Sequence, residues 1–394
     1  MKLNICFNKL GGEQWTVGPI FLRNLIFALR QFCKDEVILT LMSYGKNGND
    51  NEYDDFIKPD QIVVCEPLQH GGFGWFVGAV NKKYFSRDLS KEVVLLKNKV
   101  NILFSTFNQF KINNIATLAY LPDFQPYRMP EMFSEVERKC LIRDFEMTVK
   151  HSTRVILTGL SIKKDFESFF PKQIHKVRIF KPVSYIPDYI YDDKKLASFL
   201  KLYNLPDKFV YLPNQFWKHK NHKVLFNAVK ILKERGIDII VVCTGNSFDY
   251  RCPSYFAKLW HQISELKIRD QIIYLGLIPH DYIFYLMRAS VCIVNPSFFE
   301  GWANAVEEAR SLGKMLLLSD IPIHREQMLS RSDFFDPYSA EDLAKKIEKI
   351  WVNTSSGPDL PLESIARREL SDRQSEFAKS FLSIAQEAIS EVWS

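Results

Sequence analysis

The sequence lacks the features that mark secreted proteins, membrane-spanning proteins or proteins with a structural metal site. Its 394 residues include seven scattered cysteines, an odd number that argues against a disulfide framework or a metal cluster. No stretch approaches the roughly 18 consecutive apolar residues of a transmembrane helix. The apolar run within Met1–Asn8 is too short for a signal peptide and is typical of a first strand. We therefore expect buried free thiols and a cytoplasmic location.

Strong charge imbalance and nucleic-acid-binding signatures are also absent. The formal net charge is +6, from 52 Lys and Arg against 46 Asp and Glu. The basic residues are dispersed and no zinc-finger or RNA-binding motif occurs, so no nucleic-acid partner is expected. A charge of this size still permits phosphate binding and peripheral contact with an anionic membrane surface. The sequence leaves the oligomeric state open.

What the sequence does contain is a repeated alternation of short apolar runs and helical stretches. Strands of the first half are predicted at 3–7, 37–42, 61–65, 101–104, 115–121, 154–157 and 177–180. Strands of the second half are predicted at 209–212, 237–243, 272–275, 291–294, 315–318 and 334–335. Continuous apolar runs separated by helices are typical of buried parallel strands, so the fold class is α/β.

The length of the chain and a change of composition predict its domains. A chain of 394 residues is too long for one ordinary core, so two domains are expected. Prolines and lost periodicity suggest a linker at 186–207, between a first domain at 1–185 and a second at 208–360. The segment 361–394 is predicted to form amphipathic C-terminal helices that pack across the domains, with a helix packing back on the first domain.

The most informative stretch is the predicted helix at 302–312. Its apolar stripe predicts that Glu307 points to solvent, whereas Glu308 lies half-buried at the edge of the stripe and needs a partner. Glu300 precedes the helix, where free N–H groups and the helix dipole form an anion site. From Glu300 to Glu308 the backbone spans about 12 Å, about the reach needed to hold both ends of a sugar–diphosphate–ribose. The alternative is that both glutamates merely favour a helix N-terminus.

Polar or flexible residues also follow other predicted strands of the second domain. Gln215, Lys218 and Lys220 lie between a strand and a helix, and Lys220 is the best candidate for a diphosphate contact. Gly245 and the pair Leu277–Ile278 follow the next two strands, at the same edge of the sheet. The alternatives are a solvated basic turn and the ordinary tight turns of any doubly wound domain.

The first domain offers two weaker candidates. Gly12, in the Gly11–Gly12 turn after the first strand, would let the backbone approach a phosphate closely. Asp123 ends the strand at 115–121, where ligand-facing residues of parallel sheets lie. An ordinary tight turn and a proline-rich connector are the alternatives for these two segments.

Taken together, these residues resemble the signature of the large retaining glycosyltransferase family known as glycosyl transferases group 1. The resemblance rests on the run 295–309, in which seven residues separate Glu300 from Glu308, and on 319–326. It covers 211–326 strongly and the first domain loosely. It implies the GT-B fold, with two Rossmann-like doubly wound domains facing a central cleft, the first binding the acceptor and the second the donor.

The family resemblance also implies an activity and roles for the site residues. It implies metal-independent, retaining transfer of a hexosyl or deoxyhexosyl unit from a nucleoside-diphosphate sugar to a hydroxyl of a growing glycan, without a cofactor. Glu300 would hold sugar hydroxyls, Glu308 the ribose, and Lys220 the leaving diphosphate, with Asp123 as a candidate for orienting the acceptor. The remaining donor-binding residues would be Gly12, Gln215, Lys218, Gly245, Leu277, Ile278, Ser297, Gly301, Trp302, Ala303 and Asn304.

Two positions depart from the family pattern. Gln215 stands where many relatives have arginine, and Ala303 where many have glycine. Charge stabilisation is then expected from Lys218, Lys220 or Arg325. The alternatives are a sugar-nucleotide epimerase or phosphorylase of the same fold, or a non-catalytic nucleotide-sugar-binding subunit. A GDP-linked donor is our working hypothesis, and the acceptor and linkage stay open.

Overall fold

The computed structural model describes residues 2–8, 17–44, 58–65, 73–327 and 331–393. Every predicted strand has a counterpart among them. The strands are β1 (Leu3–Phe7), β2 (Val37–Ser43), β3 (Gln61–Val64), β4 (Ile102–Ser105), β5 (Ala116–Tyr120), β6 (Arg154–Leu157), β7 (Val177–Ile179), β8 (Val210–Pro213), β9 (Val241–Thr244), β10 (Ile272–Tyr274), β11 (Ile293–Asn295), β12 (Leu316–Ser319) and β13 (Ser332–Phe335).

Helices connect these strands in both halves of the chain. They are α1 (Val17–Phe32), α2 (Phe73–Phe85), α3 (Leu89–Lys97), α4 (Gln125–Arg128), α5 (Glu135–His151), α6 (Leu160–Phe169), α7 (Asp193–Leu202), α8 (His222–Glu234), α9 (Tyr255–Glu265), α10 (His280–Ala289), α11 (Asn304–Ser311), α12 (Pro322–Gln327), α13 (Ala340–Asn353) and α14 (Leu360–Trp393). Among the described helices, none is long and apolar enough to span a bilayer.

The strands form two parallel sheets with the same winding. The first has the order β3-β2-β1-β4-β5-β6-β7 and the second β10-β9-β8-β11-β12-β13. Each order reverses once, between β1 and β4 and between β8 and β11, and this reversal creates a topological switch point. The prediction of two Rossmann-like doubly wound sheets is confirmed.

The described residues divide into two compact units. One runs to Tyr185 and includes Arg373 onward, whereas the other is Ile186–Asp372. The stretch 186–207, which we predicted as a linker, instead contains α7 and groups with the second unit. The reason is packing: the Phe199 ring on α7 lies 5.0 Å, between ring centroids, from Tyr282 on α10.

The C-terminal segment is one continuous helix, α14, and its later part belongs to the first unit. Phe377 stacks on Phe180 with a centroid distance of 4.4 Å, and Phe381 lies 5.5 Å from Phe104. These aromatic rings are buried, so the apolar stripe of the helix becomes part of the first unit's core. The predicted packing of this segment on the first domain is confirmed.

Gly313, which follows the C-cap of α11, lies in a tightly packed part of the second unit. Gly313 has φ +70°, the left-handed conformation that often follows a helix. A Cβ at this position would lie 2.6 Å from the carbonyl oxygen of Leu362. Glycine is therefore required at this position both by the backbone conformation and by the close approach of the start of α14.

Candidate functional site

The switch point of the second sheet is lined by buried polar side chains. Asn214 follows β8 and Asn295 ends β11, and both are less than 9% exposed. The Asn214 side-chain amide donates to Asn295 Oδ1 at 3.3 Å, which joins the two strand ends. The Ser297 hydroxyl lies 2.8 Å from the same Asn295 oxygen. Crevices at such switch points are where doubly wound sheets bind ligands.

Lys220 and Glu300 form a buried ion pair beside this crevice. Lys220 Nζ lies 2.7 and 2.8 Å from the two carboxylate oxygens of Glu300. The Ser297 hydroxyl is 2.6 Å from Glu300 Oε1, so its single proton can serve either Glu300 or Asn295. The pairing brings together three residues that the sequence predicted for the donor site.

The surroundings of Glu300 keep its carboxylate charged. Burial alone would raise its pKa, but the charge of Lys220, the nearby His324 and the hydrogen bonds from Lys220 and Ser297 outweigh burial, and the pKa of Glu300 is lowered. Glu300 is therefore suited to accept hydrogen bonds at neutral pH and not to donate a proton. The ammonium group of Lys220 has three donors and uses two on Glu300, which leaves one for a ligand oxygen.

Hydrogen bonds to backbone carbonyls hold together the two segments that carry Lys220 and Glu300. Asn221 adopts a left-handed conformation (φ 53°), and its side-chain amide donates to the Pro296 and Pro337 carbonyls at 3.0 and 2.9 Å. The Phe298 N–H donates to the His219 carbonyl at 2.8 Å. The turn that carries Lys220 is thus fixed to the loop that carries Glu300, so the two side chains are preorganised.

The helix that follows Glu300 begins later than its sequence pattern predicts. α11 begins at Asn304 with Ala303 as its N-cap, whereas the predicted helix began at Trp302. Gln327 accepts the Ala303 N–H at 3.2 Å and donates to the Ala303 carbonyl at 3.1 Å. The Ala303 N–H, which we predicted to lie near a phosphate, is therefore occupied by a side chain of α12.

The burial of the two adjacent glutamates on α11 differs from the prediction. Glu307 is 2% exposed and Glu308 is 4% exposed, so the expectation that Glu307 faces solvent is wrong. The reason is that α10 and α12 both pack against this short helix, so its buried surface is wider than one stripe. Glu308 does have the partner that the sequence requires, because His280 Nε2 lies 2.7 Å from its Oε1.

Gln215 has a structural partner where relatives often carry a charge. Its side-chain oxygen accepts the Asn246 N–H at 2.7 Å, and the Phe216 N–H donates to the Asn246 carbonyl at 3.0 Å. Gly245 has φ +128°, and a Cβ there would lie 2.5 Å from the Asn214 carbonyl oxygen. Gln215 thus anchors the loop after β9, and Gly245 allows that loop to approach the end of β8.

Three other predicted residues of the second unit are exposed or half-buried, and a fourth is already paired. Lys218 is exposed, and Leu277, at 66% exposure, and the half-buried Ile278 precede α10. The guanidinium of Arg325 is bonded to Asp320 at 2.7 and 2.8 Å, so its charge is already paired.

The roles predicted for the two candidates of the first domain, Asp123 and Gly12, are not tested by the structure. Asp123, in the first unit, accepts the Gln125 N–H at 2.9 Å and so supports the start of α4. Gly12 lies outside the described residues. Their predicted roles stay predictions.

Three residues of the site were missed by the sequence reasoning: His280, Asn295 and Gln327. Asn295 had a usable signal, because an amide that ends an apolar strand lies at the ligand edge of the sheet. His280 had a weaker signal, since it opens α10 directly after the Leu277–Ile278 loop. Gln327 had none, because its contact with Ala303 depends on how α12 packs.

Comparisons with known proteins show what the second unit and the whole fold resemble. Residues 194–360 match the family model described as Glycosyl transferases group 1. Over 229 residues the chain is 20% identical to the O-antigen chain mannosyltransferase RfbU of Salmonella typhimurium. That alignment covers 58% of this chain and 59% of the relative's length.

Solved structures extend the likeness to almost the whole chain. A glycosyltransferase from Rickettsia africae has a TM-score of 0.70 at 18% identity, with 98% of this chain and 99% of that chain covered. Anabaena HepE, in complex with UDP and glucose, has a TM-score of 0.67 at 14% identity, with 99% of each chain covered. At such low identity these likenesses show the fold, which is GT-B.

Proposed function

From the match of residues 194–360 to the family model described as Glycosyl transferases group 1, we propose that the protein transfers a hexosyl or deoxyhexosyl unit from a nucleoside-diphosphate sugar to a hydroxyl of a growing glycan. The observation that carries the proposal is the buried Lys220–Glu300 pair, with Nζ–O distances of 2.7 and 2.8 Å, at the switch point of the second sheet. A fixed cation in contact with a fixed carboxylate suits the point where the diphosphate joins the sugar, because one group can meet a phosphate oxygen and the other a neighbouring sugar hydroxyl.

The proposed chemistry divides between these two side chains. The bond between the anomeric carbon and the diphosphate oxygen breaks, and negative charge grows on the leaving diphosphate. The ammonium of Lys220 stabilises that charge without a metal ion, as preorganised cations do. The carboxylate of Glu300 accepts hydrogen bonds from hydroxyls of the donor sugar and so orients its anomeric carbon.

Retention of configuration follows if the acceptor attacks from the face that the diphosphate leaves. The acceptor oxygen then bonds to the anomeric carbon, and its proton passes to the departing phosphate oxygen. No separate strong base is required, which leaves Asp123 a role in orienting the acceptor at most.

Glu308 and His280 would hold the ribose of the donor. The carboxylate of Glu308 is 4% exposed, and its Oε1 already contacts His280 at 2.7 Å. The imidazole thereby orients the carboxylate, whose second oxygen is offered to a ribose hydroxyl. The base would lie beside Leu277 and Ile278.

The identity of the nucleotide separates two versions of the proposal. We keep a GDP-linked donor as the first hypothesis, and the UDP bound by HepE makes a UDP-linked sugar the competitor. We also propose that the protein acts in the cytoplasm with peripheral attachment to a membrane, where its net charge of +6 would favour an anionic surface.

A thermal-shift panel of nucleoside diphosphates tests the proposal most directly. A ligand at 100 times its Kd stabilises the folded state by about 2.7 kcal/mol, so one diphosphate should raise the unfolding midpoint well above the others. No response to any member of the panel would overturn the donor site. A clear response without turnover of the matching nucleotide sugar, in the presence of glycan acceptors, would instead favour a non-catalytic binding subunit.

A further inference from the structure

The end of α2 and the outer face of α3 expose large apolar side chains on the first unit. Tyr84 and Phe85 are each 69% exposed, Val93 is 55% exposed and Leu96 is 42% exposed. Val93 and Leu96 are three residues apart and share one face of α3, whereas Leu95 is buried in the core. We name the surface of Lys83–Phe85, Val93, Leu96 and Lys97 the α2–α3 surface.

Among the described residues, the exposed charged side chains on and around α2 and α3 are all positive. Its two acidic residues are buried and paired: Asp88 lies 3.0 Å from Lys82 Nζ, and Glu92 accepts from Arg87 Nε at 2.9 Å. The Glu92 carboxylate also accepts the Asn113 N–H at 2.9 Å. The exposed charged side chains of this part of the chain are lysines, namely Lys83, Lys97, Lys99 and Lys111.

We propose that the α2–α3 surface binds an anionic lipid bilayer, a proposal that gives a location to the peripheral attachment proposed above. Tyr side chains favour the bilayer interface, and lysines extend their charged ends to the headgroups while their stems cover apolar surface. Each lysine near an anionic surface contributes about 1 kcal/mol, and the exposed apolar side chains add burial at the acyl boundary.

The charge pattern favours a bilayer over a protein partner. Protein interfaces typically surround an apolar centre with a mixed polar rim. The α2–α3 surface instead combines four large exposed apolar residues with lysines alone, because its carboxylates are turned inward and neutralised. Such a surface complements a sheet of negative headgroups. Attachment here would hold the first unit, which is the proposed acceptor unit, at the membrane.

Co-sedimentation with lipid vesicles tests this proposal on the full chain. Vesicles that contain phosphatidylglycerol should bind the protein, vesicles of phosphatidylcholine alone should not, and 0.5 M salt should reduce binding because charge is screened. Two double variants, Tyr84→Ser with Phe85→Ser and Lys83→Glu with Lys97→Glu, should each lower the partition coefficient at least tenfold. The control Tyr338→Ser removes a side chain that is 82% exposed on the second unit, and it should bind normally.

Two results would overturn the proposal. One is equal binding of the variants and the unaltered chain to anionic vesicles. The other is a concentration-dependent dimer in the absence of lipid that the Tyr84→Ser, Phe85→Ser variant abolishes, because a second copy would then occupy the surface. The thermal response to nucleoside diphosphates is measured on the same variants and should not change, so failure of membrane binding and failure of the donor site are read separately.

Discussion

The two units contain ion pairs of the same kind in different places. In the second unit, Lys220 and Glu300 are paired with side-chain exposures of 14% and 7%. In the first unit, Arg154 and Arg178 both contact Glu387, whose side chain is 38% exposed. The first pair lies at a sheet switch point, whereas the second joins α14 to β6 and β7. The first pair therefore lies where doubly wound sheets bind ligands, and the second lies where it can stabilise the packing of α14.

The switch point of the first sheet strengthens this contrast. After β4, the Ser105 hydroxyl donates to Asn108 at 2.7 Å, and the Asn108 amide donates to Ser152 at 3.1 Å. These groups are buried and neutral, and they satisfy one another. Two sheets of the same winding thus carry different side-chain chemistry at these strand ends, so the topology alone does not define a site.

The largest expected effect comes from dividing the Lys220–Glu300 pair. Lys220→Met leaves a buried carboxylate without its partner, and we expect the second unit to lose about 3–5 kcal/mol of stability. The double variant Lys220→Met, Glu300→Gln removes both charges and should regain much of that loss. Both variants should lose at least about 100-fold in transfer rate, because the cation that stabilises the leaving group is gone. Urea unfolding and donor turnover measure the two effects.

Glu307→Gln is the matched control for this experiment. Glu307 is as buried as Glu300 and lies on α11, but its carboxylate is near Ser311 and Arg310. The turnover rate of the Glu307→Gln variant should stay within a few-fold of the rate of the unaltered chain, even if its stability changes. Turnover of the Lys220→Met chain at the normal rate would contradict the assignment of the site and remove the contrast between the units.

A smaller effect is expected from the second buried partner in the same unit. His280→Ala leaves Glu308, which is 4% exposed, without the imidazole at 2.7 Å. An unsatisfied buried acceptor costs about 1–3 kcal/mol of folding stability. Affinity for the nucleoside diphosphate should also fall, because the carboxylate proposed to hold the ribose is no longer oriented by the imidazole. The thermal-shift response to the best diphosphate measures this loss.

The control for the His280 variant is an exposed contact between another histidine and a glutamate. His261 lies 3.2 Å from Glu265, with side-chain exposures of 75% and 64%. Exposed pairs contribute about 0.2–1 kcal/mol, and His261→Ala should leave nucleotide affinity unchanged. Equal losses in both variants would show that the His280–Glu308 contact acts on overall stability and not on the site.

The fold could be predicted from the sequence because its signals are local. Each buried strand is a continuous apolar run, and Gly313 marks the end of α11, so the strands were recovered from the sequence. The doubly wound arrangement of the two sheets was implied by the family resemblance. α3 was missed because its apolar residues do not form a clear stripe: Leu95 is buried while Val93 and Leu96 face solvent. α7 was read as a linker because prolines flank it on both sides.

The site was predictable only where a residue's role depends on its own segment. Glu300 and Lys220 follow strands and precede helices, which places them at the ligand edge of the sheet. The burial of Glu307 depends on the packing of α10 and α12 against α11, and the N–H of Ala303 is occupied by Gln327 of α12. Helical periodicity describes one element and cannot report what covers its other faces.

The smallest expected effect belongs to the ion pair of the first unit. The hydrogen bond from Arg178 lowers the pKa of Glu387 to about 2, with Arg154 adding to the effect and burial opposing it. Since the folded pKa lies below the usual 4.5, the pair stabilises α14 above about pH 4.5 and loses this contribution as the pH falls toward 2. Glu387→Gln should therefore cost about 1 kcal/mol or less at pH 7, and the difference from the unaltered chain should shrink as the pH falls below 4.5. Urea unfolding at pH 7 and pH 3 measures it. Nucleotide affinity should not change. A change would mean that the contacts of Glu387 also serve the site, and that the two units do not differ in the way described above.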